Sequence, residues 1–449
     1  MFRLSSFLKN AHYHLCLLFI GAIAFAHQYK VSFSSDEWSK VVKVDGKGYY
    51  AYLPAVFVYQ DLNFGFFEEV EIENAADPNQ IYWYIYNFEG NRTNKYFAGT
   101  ALCISPFFLL AHAYSYLSGG EMSGFSFPYM FMLGMSALFY FLLGIHLLRK
   151  TLELSSVKPW LIVLTMLALA FSTNLYYYTV REFSMSHVYS FAWVSVFVFG
   201  VKSYFVKQNT KHLLLAALAL GIVLLIRPVN GLIVFSIPFL AGSLESLKAG
   251  FKNYLSQKLV LISTILIPLF IASIQLMIYK VQTGKWLVYS YAEEGFNFTS
   301  PEMFNFLFSY KKGLFVYTPA TFFIVLLVLL MLVFSFAKKK VNTRDEARFQ
   351  SLSFLGFFLL IVYVLSSWWM WFYGGSFGSR AMIEYYPFIF LAFALSLNKK
   401  SKWWFKVLFI ALILACIQLN MVQSKQYIAG AIHWVDMDKE WYWRIFKLW

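Results

Sequence analysis

Long apolar stretches alternate with short polar segments along the whole of this 449-residue chain. Many of these stretches reach the roughly 20 residues that an α-helix needs to cross a bilayer. The pattern therefore predicts an all-α polytopic membrane protein. The apolar runs lie near 15–29, 96–118, 124–148, 159–178, 185–206, 212–226, 229–243, 258–279, 314–337, 351–370, 381–397 and 403–422.

Basic residues between the runs predict which side of the membrane each segment faces. Short loops rich in Lys and Arg stay in the cytoplasm. We therefore expect the N-terminus to be cytoplasmic and residue 30 to lie outside, whether the first run is retained, as we favour, or cleaved as a signal peptide. The basic clusters are Arg3 and Lys9, and the segments 149–158, 202–211, 248–258, 338–348 and 399–406.

The number of crossings before Arg149 must be odd if residue 30 is outside and Arg149 inside. We assign the crossing to 124–148 and expect 95–117 to form an interfacial or re-entrant helix. This assignment gives about 11 crossings and an outer C-terminus. The alternative, in which 96–118 spans and a later segment does not, stays open.

The predicted outer side holds most of the unusual residues of a single transmembrane domain. It comprises a first outer loop with juxtamembrane helices at 30–123, a loop at 280–313, a short tail at 423–449, and turns at 179–184, 227–230 and 371–380. The tail mixes aromatic and charged residues in the manner of an interfacial helix.

Composition excludes several classes of function. The chain is 59% hydrophobic with a net charge of +14, but the basic excess belongs to cytoplasmic loops, so we predict no nucleic-acid partner. The sequence contains no HExxH or CxxC motif, and no GK[ST] follows its Gly-rich bend. Zincin, thiol-redox and P-loop chemistry therefore find no support.

Candidate acid and base groups lie in the first two outer segments. Asp45 stands beside Gly46 and Gly48, which allow a tight turn, and partial desolvation at the membrane boundary would raise its proton affinity and suit a general base. Glu182 either acts in catalysis or pairs with Arg181. His187 is an acid, a metal ligand, a sugar hydrogen-bonder or a structural residue.

Candidate phosphate ligands are Arg181 in the second outer turn and basic residues at the ends of later runs. Arg227 in the sequence IRPVN either binds phosphate or satisfies carbonyl groups freed by the proline. Lys311 and Lys312 bind a lipid phosphate or extend to the interface as ordinary boundary lysines. Arg380 follows a Gly-rich bend and can bind phosphate through two hydrogen bonds.

The 280–313 loop has the composition of a sugar site. Aromatic rings stack on the apolar face of a sugar, and carboxylates accept hydrogen bonds from its hydroxyls. The candidates are Trp286, Tyr289, Glu293 and Glu294.

In layout the chain resembles the GT-C superfamily of glycosyltransferases, which includes protein O-mannosyltransferases, the lipid A aminoarabinose transferase and oligosaccharyltransferase. The shared features are a first helix, a large outer loop that opens with Asp45-Gly-Lys-Gly-Tyr-Tyr, a juxtamembrane helix at KYFAGTALCISPFF, and a charged second outer turn. The resemblance implies that Asp45 is catalytic, with Asp36 and Glu37 as competitors, and that Glu182 is the second acidic residue. Glu182 lies in no DxD motif, which leaves a divalent metal open.

The activity implied by this resemblance is transfer of a sugar from a polyprenyl-phosphate donor to an acceptor hydroxyl, with inversion, on the periplasmic or luminal face of a membrane such as the bacterial inner membrane. Arg380, Lys311 or Arg227 would stabilise the leaving phosphate. Because the chain has no large soluble C-terminal domain, a lipid, a glycan or a flexible peptide is the expected acceptor. The main rival is a transporter or flippase of lipid-linked glycans, and a non-catalytic scaffold is the third hypothesis.

Overall fold

The structure is a computed structural model that describes residues 10–73, 81–336, 341–399 and 402–446. Within these ranges it is built almost entirely of helices and carries one two-stranded sheet. The basic residues Arg3, Lys9, Lys338, Lys339, Lys340 and Lys400 lie outside the described residues. The α-helices are Ala11–Gln28, Asp45–Phe57, Gly99–Ser118, Phe127–Leu154, Pro159–Phe171, Leu175–Val180, His187–Lys207, Lys211–Ile226, Ile237–Ala241, Leu244–Ser256, Lys258–Thr283, Met303–Phe308, Leu314–Tyr317, Pro319–Phe336, Val341–Ser366, Tyr386–Asn398, Trp403–Ile428 and Lys439–Phe446.

The prediction of a polytopic membrane protein is confirmed. Within the described ranges, nine helices are long and apolar enough to cross a bilayer, or ten if one bent pair counts as a single span. Their lengths follow from the apolar runs, since a span needs roughly 20 residues at 1.5 Å each. The nine are Ala11–Phe33, Gly99–Ser118, Phe127–Leu154, His187–Lys207, Lys258–Thr283, Pro319–Phe336, Arg344–Ser366, Arg380–Asn398 and Trp403–Ile428.

Two predicted spans are interrupted. The 159–178 run divides into Pro159–Phe171 and Leu175–Val180. At the break, the Ser172 and Thr173 hydroxyls donate to carbonyls four residues earlier, at 2.7 and 2.9 Å. Such back-bonding offers the backbone an alternative to continuing the helix.

The 229–243 run is a 3₁₀ segment, Pro228–Ser236, followed by Ile237–Ala241. The chain then bends by 119° into Leu244–Ser256, so the basic segment predicted as a loop is a helix instead.

The Gly99–Ser118 helix packs along the first half of Phe127–Leu154. The Tyr140 hydroxyl donates to the Cys103 carbonyl at 3.2 Å, and His112 contacts the Tyr129 hydroxyl at 2.7 Å, so the two helices are antiparallel. A Cβ atom on Gly99 would lie 2.4 Å from the backbone nitrogen of Ile226, so only glycine permits this approach. The helix is long and apolar enough to cross a bilayer. Its predicted interfacial or re-entrant position stays a prediction.

A hairpin in the first loop supports the candidate site. Ile85–Phe88 pairs antiparallel with Asn91–Asn94, and the turn places Glu89 and Gly90 at φ of 50° and 85°. Positive φ at both central residues is typical of a type I′ turn. Thr93 is buried and donates to Gln282 Oε1 at 2.7 Å, which fastens the hairpin to the Lys258–Thr283 helix.

Candidate functional site

Segments that are far apart in sequence surround one cavity of about 1070 Å³. The predicted outer segments contribute Asp45, Glu182, Arg227, Glu294 and Arg380 to its lining. The tail, for which no site residue was predicted, adds His433 and Trp434. This size is at the upper end of typical small-ligand sites.

Asp45 is fully engaged on the wall of the cavity. It begins the Asp45–Phe57 helix, directly after Val44, whose φ of 44° is unusual for a β-branched residue. Its Oδ2 accepts from Arg380 Nη2 at 2.7 Å, and its Oδ1 accepts from the hydroxyls of Tyr82 at 2.6 Å and Tyr96 at 2.8 Å. Residues with unfavourable backbone angles, such as Val44 in this site, concentrate at functional sites.

The environment of Asp45 corrects the expectation of raised proton affinity. Burial alone would raise the pKa of the carboxyl group, but the Arg380 charge and the hydrogen bonds from Tyr82 and Tyr96 outweigh it and lower the pKa to about 2. The group is therefore a paired carboxylate in this structure.

Gly46 and Gly48 do not form the predicted tight turn. Both lie inside the Asp45–Phe57 helix, where they permit close packing. A Cβ on Gly46 would lie 2.2 Å from Ser184 Oγ, and one on Gly48 would lie 2.3 Å from the Tyr96 ring. The second glycine thus makes room for a tyrosine that binds Asp45.

A second cluster surrounds Glu384, which sequence reasoning missed. Its side chain is completely buried, and Oε1 contacts His187 Nδ1 at 3.0 Å, Arg227 Nη1 at 3.3 Å and Asn230 Nδ2 at 3.3 Å. Glu384 Oε2 has no hydrogen-bond partner within the described structure. His187 and Arg227 also line the cavity, so Glu384 holds two cavity residues from behind.

The second outer turn forms two separate ion pairs. Arg181 bonds Glu37 Oε2 and the Val31 carbonyl, each at 2.7 Å, so the suggested pairing of Glu182 with Arg181 is wrong. Glu182 accepts from the Tyr177 hydroxyl at 2.9 Å and lies 3.5 Å from Lys43.

Two of the four sugar-binding candidates in the 280–313 loop lie on the cavity lining, and two do not. Tyr289 and Glu294 line the cavity, and Glu294 pairs with Lys95 at 2.5 Å. Trp286 and Glu293 are exposed outside it.

The two predicted lysine ligands also lie away from the cavity lining. Lys311 packs 3.8 Å from the centre of the Phe372 ring. Lys312 is buried, donates to the Ser376 carbonyl and lies over Tyr427. Burial lowers the pKa of the Lys312 ammonium to about 7. As the chain stands, neither lysine is placed to contact a phosphate in the cavity.

Several residues of the site carried little signal in the sequence. Tyr82, Tyr96 and Trp368 are three of many boundary aromatics, and only the fold brings them to the cavity. Glu384 did have a signal, because it is an acid at the start of an apolar run, where a carboxylate is costly. Within the described residues, no group of three His, Cys, Asp or Glu side chains is arranged to hold a metal ion.

Comparison with known proteins identifies the fold. No known family model and no curated protein sequence matches the chain. The chain is similar to the structure of the archaeal oligosaccharyltransferase AglB from Archaeoglobus fulgidus in complex with an inhibitory peptide and a dolichol-phosphate. The TM-score is 0.52 at 13% identity, and the match covers 98% of this chain and 58% of that chain.

Two further structures of an Archaeoglobus fulgidus oligosaccharyltransferase have lower TM-scores at the same 13% identity. The apo form gives 0.47, and the form tethered to an acceptor peptide with the NVT sequon gives 0.49. At a TM-score of 0.52, the chain shares a polytopic membrane fold with the AglB structure, and it spans a little over half the length of that archaeal chain.

Proposed function

We propose that this chain is an integral-membrane glycosyltransferase that moves a sugar from a polyprenyl-phosphate donor to an acceptor hydroxyl. The observation that carries the proposal is the Asp45–Arg380 pair at 2.7 Å on the wall of a 1070 Å³ cavity. A carboxylate can receive the acceptor proton, and a guanidinium can stabilise a leaving phosphate. The GT-C-like fold supports the same class of reaction.

The proposed reaction is a single displacement. The acceptor oxygen attacks the anomeric carbon, and the bond from that carbon to the phosphate oxygen breaks with its electron pair. Polyprenyl phosphate leaves with negative charge that Arg380 and Arg227 stabilise, and the acceptor proton passes to Asp45. Attack from the face opposite the leaving group inverts the anomeric carbon.

The cavity provides groups for a sugar ring as well as for a phosphate. Tyr289, Tyr291 and Trp368 lie on its lining and offer aromatic faces, and Glu294 offers acceptor oxygens. We assign the donor sugar to this side of the cavity. A polyprenyl chain stays in the bilayer, so its phosphate must be bound at the membrane boundary.

The cavity opens on the face that we assign to the periplasm or lumen. Residues of the 280–313 loop and of the tail lie on its lining, which is consistent with a lipid, a glycan or a flexible peptide as acceptor. A divalent metal, if used, would have Asp45, Glu182 and Glu294 as the carboxylates on the cavity lining, and each of these is paired with a cation in this structure.

A donor panel tests the proposal. The full chain is purified, reconstituted in liposomes and supplied with radiolabelled polyprenyl-phosphate sugars and a mixture of lipid, glycan and peptide acceptors. We expect one donor to be consumed, with one polyprenyl phosphate released per sugar transferred. Movement of an intact lipid-linked sugar between leaflets without its consumption would contradict the proposal and support the transporter hypothesis.

A further inference from the structure

Every cation on the cavity lining already has a carboxylate partner. The pairs are Lys43 with Glu182, Lys95 with Glu294, Arg181 with Glu37, Arg227 with Glu384, and Arg380 with Asp45. A phosphate that enters the cavity must therefore compete with a protein carboxylate for any of these cations. The structural question is which pair is built to exchange.

The Asp45–Arg380 pair has the features of an exchangeable pair. Within the described part of the chain, the other hydrogen-bond contact of the Arg380 guanidinium is Met185 Sδ at 4.0 Å, which is a weak contact. Asp45 has two partners besides Arg380, because Tyr82 and Tyr96 both donate to its other oxygen. If Arg380 turns to a phosphate, the carboxylate stays in place.

The other arginine pairs are less suited to exchange. Glu384, the partner of Arg227, is completely buried and lies off the cavity lining. Arg181 is also bonded to the Val31 carbonyl. Among the arginine pairs of the cavity, only Arg380 and Asp45 both lie on the lining.

We propose that the donor phosphate takes Arg380 from Asp45, so that Asp45 becomes able to accept the acceptor proton only after the donor has bound. This inference rests on the proposed function and adds an obligatory order, donor before acceptor. One guanidinium thus serves first as the partner of the base and then as the ligand of the leaving group. Without a bound donor, Asp45 would stay paired with Arg380.

The physical basis is the balance of charges around Asp45. In the donor-free protein, Arg380 and the hydrogen bonds of Tyr82 and Tyr96 offset the cost of burying the carboxylate. When Arg380 pairs with a phosphate instead, its charge no longer offsets the cost of burying the Asp45 carboxylate. The proton affinity of Asp45 then rises. The titratable groups that face Asp45 are Arg380, Lys95, Tyr49, Tyr82, Tyr96 and Tyr291.

Carbodiimide labelling measures this change without an activity assay. A carbodiimide adds to a protonated carboxyl group, and an added amine then displaces the urea to leave an amide that mass spectrometry detects. We expect polyprenyl phosphate alone to increase the labelling rate of Asp45 in the wild-type chain by about ten-fold or more, because an opposite charge typically changes a carboxyl's protonated fraction by at least that factor.

Two variants make the labelling test specific. In Arg380→Gln, Asp45 should label rapidly with or without polyprenyl phosphate. In Arg92→Gln, which breaks the exposed pair with Glu68 outside the cavity, Asp45 should respond to the lipid as in wild type. The inference is overturned if wild-type labelling is indifferent to the lipid, or if Arg380→Gln labels as slowly as lipid-free wild type.

The labelling experiment and the transfer assay test different claims, so either claim can be overturned without the other. Sugar transfer with lipid-indifferent labelling overturns the ordered exchange and leaves the transferase proposal standing. Lipid-dependent labelling without transfer from any donor supports the exchange at Arg380 and overturns the transferase proposal.

Discussion

Arg380 and Glu384 lie four residues apart on the Arg380–Tyr385 3₁₀ helix, yet their side chains join different ion pairs. Arg380 contacts Asp45 at 2.7 Å, and Glu384 contacts His187 at 3.0 Å and Arg227 at 3.3 Å. One short helix therefore positions both the carboxylate proposed as base and the arginine proposed as second phosphate ligand. The predictions below separate these two roles.

Removal of Glu384 should mainly reduce stability. Glu384→Ala leaves Arg227 without its carboxylate partner, and breaking a buried pair in this way typically costs about 3–5 kcal/mol. Thermal unfolding in detergent measures the loss. Glu89→Gln, which breaks an exposed pair with Lys285, is the control and should cost less than about 1 kcal/mol. Equal losses in the two variants would contradict the structural role of Glu384.

Removal of the tyrosine hydroxyls should reduce turnover. Tyr82→Phe and Tyr96→Phe each delete one hydrogen bond to Asp45, and a bond to a charged group is worth about 1.5–3 kcal/mol. We expect each variant to lose about ten-fold or more in kcat, because the two hydroxyls hold the Asp45 carboxylate in position once Arg380 has turned to the phosphate. Tyr59→Phe keeps its stacking on Phe66 and should retain wild-type kcat. Wild-type turnover in the double variant Tyr82→Phe/Tyr96→Phe would show that Asp45 needs neither hydroxyl.

Gly48 should tolerate no side chain. A Cβ would lie 2.3 Å from the Tyr96 ring and 3.0 Å from Tyr84 Cβ, so Gly48→Ala must displace a tyrosine that binds Asp45. We expect transfer activity to fall by about ten-fold or more, as for loss of that hydrogen bond. Gly356→Ala is the matched control, because its Cβ meets no atom within 4 Å and alanine favours a helix. Equal activity of the two variants would contradict this packing.

Lys312 should make stability depend on pH near neutrality. Its folded pKa of about 7 lies below the ordinary lysine value, so the unfolded chain binds the proton more tightly. The cost of burying the charge is therefore fully present below about pH 7 and falls as pH rises toward the unfolded value. Lys312→Met should raise the unfolding temperature most at pH 6 and least at pH 10. A stabilisation that does not change with pH would contradict the neutral, buried lysine.

The spans could be predicted from sequence because bilayer thickness fixes the length of an apolar helix. The ends of the interrupted helices could not, since hydroxyl back-bonding at Ser172 and the bend after Ala241 depend on local geometry that hydropathy does not report.

Asp45 and Arg380 were both predicted as site residues, but their mutual pairing could not be. They are separated by 335 positions in the sequence, and only tertiary structure places them 2.7 Å apart. The same pairing explains why the expected high proton affinity of Asp45 was wrong. Lys311 and Lys312 were misleading for a related reason, because a boundary lysine can point into protein as readily as toward a phosphate.

The most direct test of the central claim compares Asp45→Asn with Asp36→Asn under single-turnover conditions with the donor that wild type consumes. Asp36 is exposed, lies in the same loop and is absent from the cavity lining, so it also tests the competing assignment. We predict that Asp45→Asn binds the donor but transfers sugar at least ~100-fold more slowly, as for loss of a general base, whereas Asp36→Asn transfers at the wild-type rate. Transfer by Asp45→Asn within a few-fold of wild type would contradict the account.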